Sequence, residues 1–503
     1  MAKAKQARPK ANAAQVGVSA EDEVLDLTAA AAFLKVSKPT FYRWLAQGTI
    51  KGFKAGTQWR FYRRDLQRFL ETEEPAALQE PAGLTQAIDK AREERNLPPI
   101  NWEEFTGEEE GGQSAVAVTW NTIFKEAIKG RASDIHLDVN VDQTLIRYRV
   151  DGALNEVLTL PREAARPLVA RLKLMADTDI SERRVPQDGR ITIGYEGTEY
   201  DLRTITVPAI YGESAVIRIL DQSSILVGCD RLGFRPETQE VFERKLHEPQ
   251  GLVIVTGPNG SGRTTTLYSA LNRLNAPRLK IVTVENPVEY RLPNVMQVHV
   301  NRKMNLTTAN ALRYFGRCDP DIILVGDLQD LETAELCVQA AMTGHLVLTA
   351  MLPSDAPSVI ARLTDMGVEP FLISSALTTV LAQRLTRRVC EQCKTEHRPS
   401  PALLERLQAE TGMDLSSAAF YTGKGCAECR GYGYRGRTAF FELLEMNGRL
   451  RELTIRRAGT SELRQAAIES GMVTMLQDGL RKCMEGITSI EEAMRILGTD
   501  RVP

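Results

Sequence analysis

The part of this sequence best suited to hold an anion is Gly257-Pro258-Asn259-Gly260-Ser261-Gly262-Arg263-Thr264-Thr265. It fits the pattern G-x-x-x-x-G-K-[ST] except at Arg263, which stands where lysine is usual. Such a loop curls backbone N–H groups around phosphate, and the helix that follows adds its N-terminal dipole. Two later apolar runs end in acids: Ile281-Val-Thr-Val-Glu285 and Ile322-Ile-Leu-Val-Gly-Asp327. Carboxylates at strand ends beside a bound triphosphate position Mg2+ and the attacking water. ATP and Mg2+ are therefore expected, with Glu285 and Asp327 placing the water. A third group, Cys390-Glu-Gln-Cys393 and Cys426-Ala-Glu-Cys429, has the spacing of two zinc knuckles. Four thiolates leave no open position, so the expected Zn2+ is structural.

Secondary structure must set these groups in place. The run Leu252–Val255 reads as a buried parallel strand, and Thr264–Leu274 as the helix after the loop. From Leu232 onward, strands and helices alternate, which predicts a parallel sheet covered on both faces. Ahead of it, residues 113–228 read as an α+β domain, with helical spacing through Val118–Ile128 and an alternating strand at Thr144–Val150. Residues 73–112 are rich in Glu and Pro and read as an acidic linker holding one helix near Leu84–Asn96. Residues 1–21 are expected to be a disordered tail, 22–72 a separate small unit, and 229–503 the nucleotide domain with a zinc insert at about 386–436.

The motifs also form an ordered set. Arg131-Ala-Ser-Asp-Ile-His136, Arg147-Tyr-Arg-Val-Asp-Gly152 and Glu182-Arg-Arg-Val-Pro-Gln-Asp-Gly-Arg190 precede the loop. After it come Glu285-Asn-Pro-Val-Glu289, Thr343-Gly-His345-Leu-Val-Leu348, Gln383-Arg-Leu-Thr-Arg-Arg-Val-Cys390 and Gly436-Arg437. In this order they resemble the secretion NTPases of type II secretion and type IV pilus assembly, over about residues 113–500. The resemblance implies a RecA-like P-loop ATPase domain preceded by an α+β domain. It implies a hexameric ring at the cytoplasmic face of an inner-membrane platform protein; a degenerate subunit would instead join a mixed ring with a paralogue. It also implies that arginines of the preceding domain reach the γ-phosphate, and the matching positions are Arg203 and Arg218.

Four positions depart from that family's pattern. Arg263 replaces lysine, Asn286 replaces an aspartate, Asp327 stands where glutamate is usual, and Leu352 replaces a histidine. Arginine keeps the charge but is bulkier and planar. Asp327 carries a stem one methylene shorter, and errors of about 1 Å near the reacting atoms cost on the order of 10²-fold. Asn286 lacks a charge, and Leu352 cannot hydrogen-bond. Together they predict nucleotide binding with weakened hydrolysis. Three readings stay open: a motor, a catalytically degenerate regulatory subunit, and a nucleotide-sensing DNA-binding protein.

Residues 24–70 resemble the winged helix-turn-helix domain of excisionase and MerR-type regulators. Thr28 is expected to cap a short Ala-rich helix, Lys38–Gln47 to form the second helix, and Lys51–Phe61 a basic wing. The resemblance implies DNA contacts from Lys38, Thr40, Tyr42, Arg43, Lys54 and Arg60. The formal charge of −2 gives no global sign of nucleic-acid binding, so any basic surface is local. Hydrophobic content of 43% suits a globular chain, and no apolar run reaches the roughly 18–20 residues of a membrane span. Eight cysteines, four of them in knuckles, fit a reducing cytoplasm better than a disulfide framework.

Overall fold

A computed structural model describes parts of residues 24–66, and residues 83–95, 97–100, 114–220 and 228–498. The chain divides into two compact units, residues 1–220 and 221–503.

The N-terminal module is a three-stranded sheet beside helical segments. Strand β1 (Val24–Asp26) leads into helix α1 (Leu27–Phe33), and β2 (Phe53–Ala55) and β3 (Gln58–Tyr62) form the wing. Strand β3 lies between β1 and β2, antiparallel to both. Ala30, Ala31, Leu34, Phe41, Ile50, Phe61 and Leu66 make its core. The rings of Phe41 and Phe61 meet edge to face at 4.9 Å, a favoured aromatic geometry. Helix α1 starts two residues earlier than expected. Asp26 accepts from the Ala29 N–H at 2.8 Å, so a carboxylate rather than Thr28 caps it.

The α+β domain follows. Helices α2 (Leu84–Glu94) and α3 (Ala115–Lys129) precede strands β4 (Ala132–Val139), β5 (Gln143–Val150) and β6 (Ala153–Pro161). Then come α4 (Ala165–Met175), β7 (Gln187–Tyr195), β8 (Thr198–Ala209) and β9 (Gly212–Leu220). The strands form one antiparallel sheet in the order β6-β5-β4-β9-β8-β7. Ile135, Leu137, Ile217 and Leu202 point into a core shared with Trp120, Phe124 and Leu168 of the helices. Residues 84–95 and 97–100, expected within an acidic linker, join this core through Leu84, Ile88, Ala91 and Ile100. The composition is acidic, but helical spacing places Leu84, Ile88 and Ala91 on one face, and Ile100 follows beyond the helix. Buried Arg92 fastens the helix by pairing with Glu126 at 2.5 Å and donating to the Pro98 carbonyl.

The second unit is a doubly covered α/β sheet. In chain order it contains α5 (Pro236–Leu246), β10 (Gly251–Thr256), α6 (Arg263–Leu274), β11 (Ile281–Glu285), β12 (Val295–His299), α7 (Thr308–Phe315) and β13 (Ile322–Asp327). It continues with α8 (Leu331–Met342), β14 (Leu346–Met351), α9 (Pro357–Asp365), α10 (Pro370–Ala376) and the long β15 (Leu377–Val389). Strand order is β12-β11-β13-β14-β10-β15-β18, parallel except for the last, β18 (Tyr434–Glu445), which runs against β15. Between β15 and β18 lie β16 (Lys394–His397), α11 (Pro401–Thr411) and β17 (Phe420–Gly423). Helices α12 (Gly448–Ile455), α13 (Thr460–Glu469), α14 (Met475–Met484) and α15 (Ile490–Leu497) close the unit.

Every residue of β10 is buried. Leu252 and Ile254 face one core with α8 and α9, and Val253 and Val255 face the other with α5 and α6. Each such side chain contributes about 1.5–3 kcal/mol by leaving water. That two-sided burial explains the unbroken apolar runs read from the sequence. Because the strands are parallel, the C-terminal ends of β10, β11, β13 and β14 gather Thr256, Glu285, Asp327 and Met351 at one edge, the usual ligand edge of such sheets.

Candidate functional site

The loop from Gly257 to Gly262 leaves β10 at that edge and enters α6. Three of its glycines carry the positive φ that side chains resist: Gly257 at 151°, Gly260 at 76° and Gly262 at 89°. A Cβ on Gly257 would lie 2.4 Å from the Gln383 carbonyl. Helix α6 has no side-chain cap at its N-terminus, so its first N–H groups face the loop. The Ser261 hydroxyl is buried without a hydrogen-bond partner. An unpaired hydroxyl, a glycine-lined cradle and an uncapped helix end together fit a phosphate group. Thr264 and Thr265 sit half-buried in the first turn of α6.

Arg263 opens that helix with its side chain folded across the site. Its guanidinium donates to the Met351 carbonyl at 2.7 Å, to Asp327 Oδ1 at 3.2 Å and to Asn259 Oδ1 at 3.3 Å. The side chain is 11% exposed and forms an ion pair with Asp327. The structure thus brings Arg263, Asp327 and Asn259 together at the ends of three elements.

Glu285 is set differently. It is buried, its Oε2 accepts from the Tyr268 hydroxyl at 2.5 Å, and its Oε1 accepts from Thr283 at 2.6 Å. Burial and the Glu285 charge push the Tyr268 hydroxyl far up, so it stays a donor. Both oxygens of Glu285 are therefore engaged inside the sheet edge, away from water.

The resemblance to secretion NTPases implies Mg2+, and the oxygen donors here fit it poorly. Thr264 retains its hydroxyl, but Asn286 is an amide, Glu285 is already satisfied, and Oδ1 of Asp327 is paired with Arg263. Leu352, in the place of a histidine, is exposed.

Gln383 is a functional residue whose role the sequence reading did not assign. From buried β15 its amide donates to the Ser261 carbonyl at 2.8 Å and accepts from the Thr266 hydroxyl at 2.8 Å. It ties the loop to the sheet from both ends. Its signal was present in the Gln383–Cys390 motif, but only the pairing of β10 with β15 reveals the target.

Arg203 and Arg218 lie side by side on β8 and β9 in the other unit. The register extends the row. Arg190 on β7 pairs with Arg203, Asp134 on β4 with Arg218, and Arg149 on β5 with Asp134. Four arginines and one aspartate thus span five strands on the face opposite the helices. Asp134 is buried and holds Arg218 Nε at 3.0 Å and Arg149 Nε at 3.8 Å. Arg190 and Arg149 went unread as site residues because only strand register aligns them.

The four knuckle cysteines converge, with all sulfurs within 4.8 Å of one another. Cys390 and Cys426 are 3.8 Å apart, as are Cys393 and Cys429. Backbone N–H groups of Gly425, Cys426 and Gly433 donate to these sulfurs. Burial raises the Cys429 thiol, but donors led by the Cys426 and Gly433 N–H groups outweigh it and pull it down to about 6. Such donors favour a thiolate at Cys429, while burial pushes the Cys393 thiol up to about 12; the four sulfurs together can hold a metal ion.

In the N-terminal module, Tyr42 is exposed and Lys54 lies over the Trp59 ring at 5.3 Å. Arg60 donates to the Trp59 carbonyl at 2.9 Å. Lys38, Thr40 and Arg43 lie outside the described residues. Among the described residues no helix is long and apolar enough to cross a membrane.

Comparison with known proteins gives these sites a family. The sequence model for type II/IV secretion system proteins matches residues 108–495, and that for a helix-turn-helix domain matches 24–74. The type IV pilus assembly ATPase PilB of Myxococcus xanthus (strain DK1622) is 43% identical over 385 residues, covering 76% of this chain and 68% of that relative. Type II secretion system protein E of Pseudomonas aeruginosa is 43% identical, covering 75% and 74%. The crystal structure of the pilus retraction motor PilT with bound ADP superposes at a TM-score of 0.50 with 26% identity, covering 74% of this chain and 95% of that one. The chain belongs to the type II/IV secretion system protein family and carries a helix-turn-helix domain ahead of the family region.

Proposed function

We propose that this chain binds ATP on residues 257–265 and serves as a motor subunit of a type II secretion or type IV pilus assembly system, with hydrolysis held to a slow rate. The cradle of Gly257, Gly260 and Gly262 around the unpaired Ser261 hydroxyl supports binding. The observation that carries slow turnover is the Arg263–Asp327 ion pair, which engages the best-placed water-positioning carboxylate. The engaged oxygens of Glu285 point the same way. The proposed assembly is a hexamer, or a mixed ring with a paralogue, working in the cytoplasm against an inner-membrane platform protein. The arginine row that includes Arg203 and Arg218 is the proposed anion-binding face for nucleotide phosphates. The four cysteines would hold a structural Zn2+, with no part in turnover.

A second reading, a nucleotide-binding regulatory subunit, is favoured by the module at 24–74. Tyr42, Lys54 and Arg60, with Lys38, Thr40 and Arg43 of the sequence, would then contact DNA. Steady-state ATPase of the purified chain beside its Arg263→Lys variant separates the readings. The proposal expects slow release of phosphate by the native chain and faster release by the variant. Turnover by the native chain at about 1 s⁻¹ or more, ordinary for an enzyme, would sink the slow-site reading.

A further inference from the structure

A P-loop lysine is a compact point charge, and a divalent cation normally supplies the rest of the positive charge facing the terminal phosphates. Here the side chain at that position is a planar fork with five donors. Its guanidinium already spans the loop and the ends of β13 and β14, through Asn259, Asp327 and Met351. Mg2+ takes oxygen ligands in near-octahedral geometry and is held by carboxylates with phosphates. In this site the donors for such an ion are depleted. Asp327 is paired to a cation, Asn286 carries no charge, and Glu285 spends both oxygens on Tyr268 and Thr283. An ion placed beside Asp327 would also face the Arg263 guanidinium, a like charge.

We propose that this chain binds its nucleoside triphosphate without a divalent cation, the Arg263 guanidinium taking over the charge that the cation would supply to the terminal phosphates. This rests on the reading that residues 257–265 hold a nucleoside triphosphate. On binding, the outer edge of the fork, now on Asn259, turns to phosphate oxygens, while Asp327 and the Met351 carbonyl keep the group oriented. The arginine then acts as a specificity-determining residue: it removes the requirement for the metal complex, so that the site takes free nucleotide as readily.

The test uses the full chain and the fluorescent nucleotide mant-ATP, titrated in millimolar Mg2+ and again in excess EDTA. The expected result is a Kd that changes by less than about threefold between the two conditions. In Arg263→Lys, EDTA is expected to weaken binding by about tenfold or more, since lysine returns the site to metal-assisted charge balance. Asp327→Asn, which keeps Arg263, is expected to stay metal-independent and gives an answer should the first variant fail to fold. A native chain whose binding weakens about tenfold or more in EDTA overturns the proposal and leaves the nucleotide reading standing. An Arg263→Lys variant as indifferent to Mg2+ as the native chain also overturns it, as does a metal-dependent Asp327→Asn. Absence of mant-ATP binding in both conditions overturns the nucleotide reading and the proposal with it.

Discussion

Replacing Gln383 by methionine keeps the volume of the side chain and removes its two hydrogen bonds. Gln383 is 1% exposed, and both bonds measure 2.8 Å. Two lost bonds cost about 1 kcal/mol each in net terms. The Ser261 carbonyl and the Thr266 hydroxyl are then left without this partner, and a buried polar group without a partner costs about 1–3 kcal/mol. The threonine can fall back on the carbonyl one turn earlier in its own helix, which recovers part of that penalty. The sum is a loss of about 2–4 kcal/mol. Because the two partners are the loop and the first turn of its helix, the damage is local to the phosphate cradle. Urea unfolding of the ATPase unit within the full chain should show a lower midpoint at unchanged slope. Mant-ATP affinity should fall by roughly 5- to 30-fold if half of that energy is spent opening the loop. A Gln383→Met chain within about 0.5 kcal/mol of native stability and with native affinity would refute the tether.

Three further outcomes follow from other parts of the fold. Burial raises the Glu492 carboxyl, but hydrogen bonds from Arg495 and Arg387 outweigh it and pull it from 4.5 down to about 2. A depressed carboxylate stabilises above its unfolded value and loses that contribution as pH falls from about 4.5 towards 2. Glu492→Gln should therefore cost about 3 kcal/mol near pH 7, with the difference shrinking below pH 4.5, as read by urea midpoints; a pH-independent difference would refute the ion-pair origin. Cys393→Ser with Cys429→Ser should abolish bound zinc in elemental analysis and lower the melting temperature of the second unit, whereas equal zinc in both proteins would rule out the cluster as its site. If the helix-turn-helix module contacts DNA, the full chain should retard genomic DNA in a gel and the chain lacking residues 1–72 should not. Lys54→Ala should weaken that binding and lower its salt slope by about 1 if Lys54 meets phosphate; equal retardation with and without the module would exclude it as the DNA-binding part.

Much of this architecture was legible because its signals are local. The run Leu252–Val255, the glycine pattern and the acid-ended strands each follow from burial or from phosphate chemistry within a few residues. The cysteine spacing was equally direct. What could not be read was set by pairing between distant strands. Gln383 reaches Ser261 because β15 lies beside β10, and Arg149 and Arg190 join Arg203 and Arg218 only through the register of five strands. The helix at Leu84–Glu94 was anticipated, yet its place in a core was masked by the acidic residues around it. Asp26 displaced Thr28 as the cap because its carboxylate, two residues earlier, takes the Ala29 N–H and starts the helix at Leu27. Glu285 shows the limit from the other side. Its position at a strand end suggested water, while the hydroxyls of Tyr268 and Thr283 claim both of its oxygens.

The Arg263–Asp327 pair is expected to let this site hold nucleotide while restraining its hydrolysis. Steady-state phosphate release in Mg2+ by the native chain, set against a chain combining Arg263→Lys, Asn286→Asp and Asp327→Glu, tests that claim most directly. The prediction is slow release by the native chain and a gain on the order of 10²-fold in the combined variant. Equal rates in the two proteins, with the native chain already turning over at about 1 s⁻¹ or more, would contradict it.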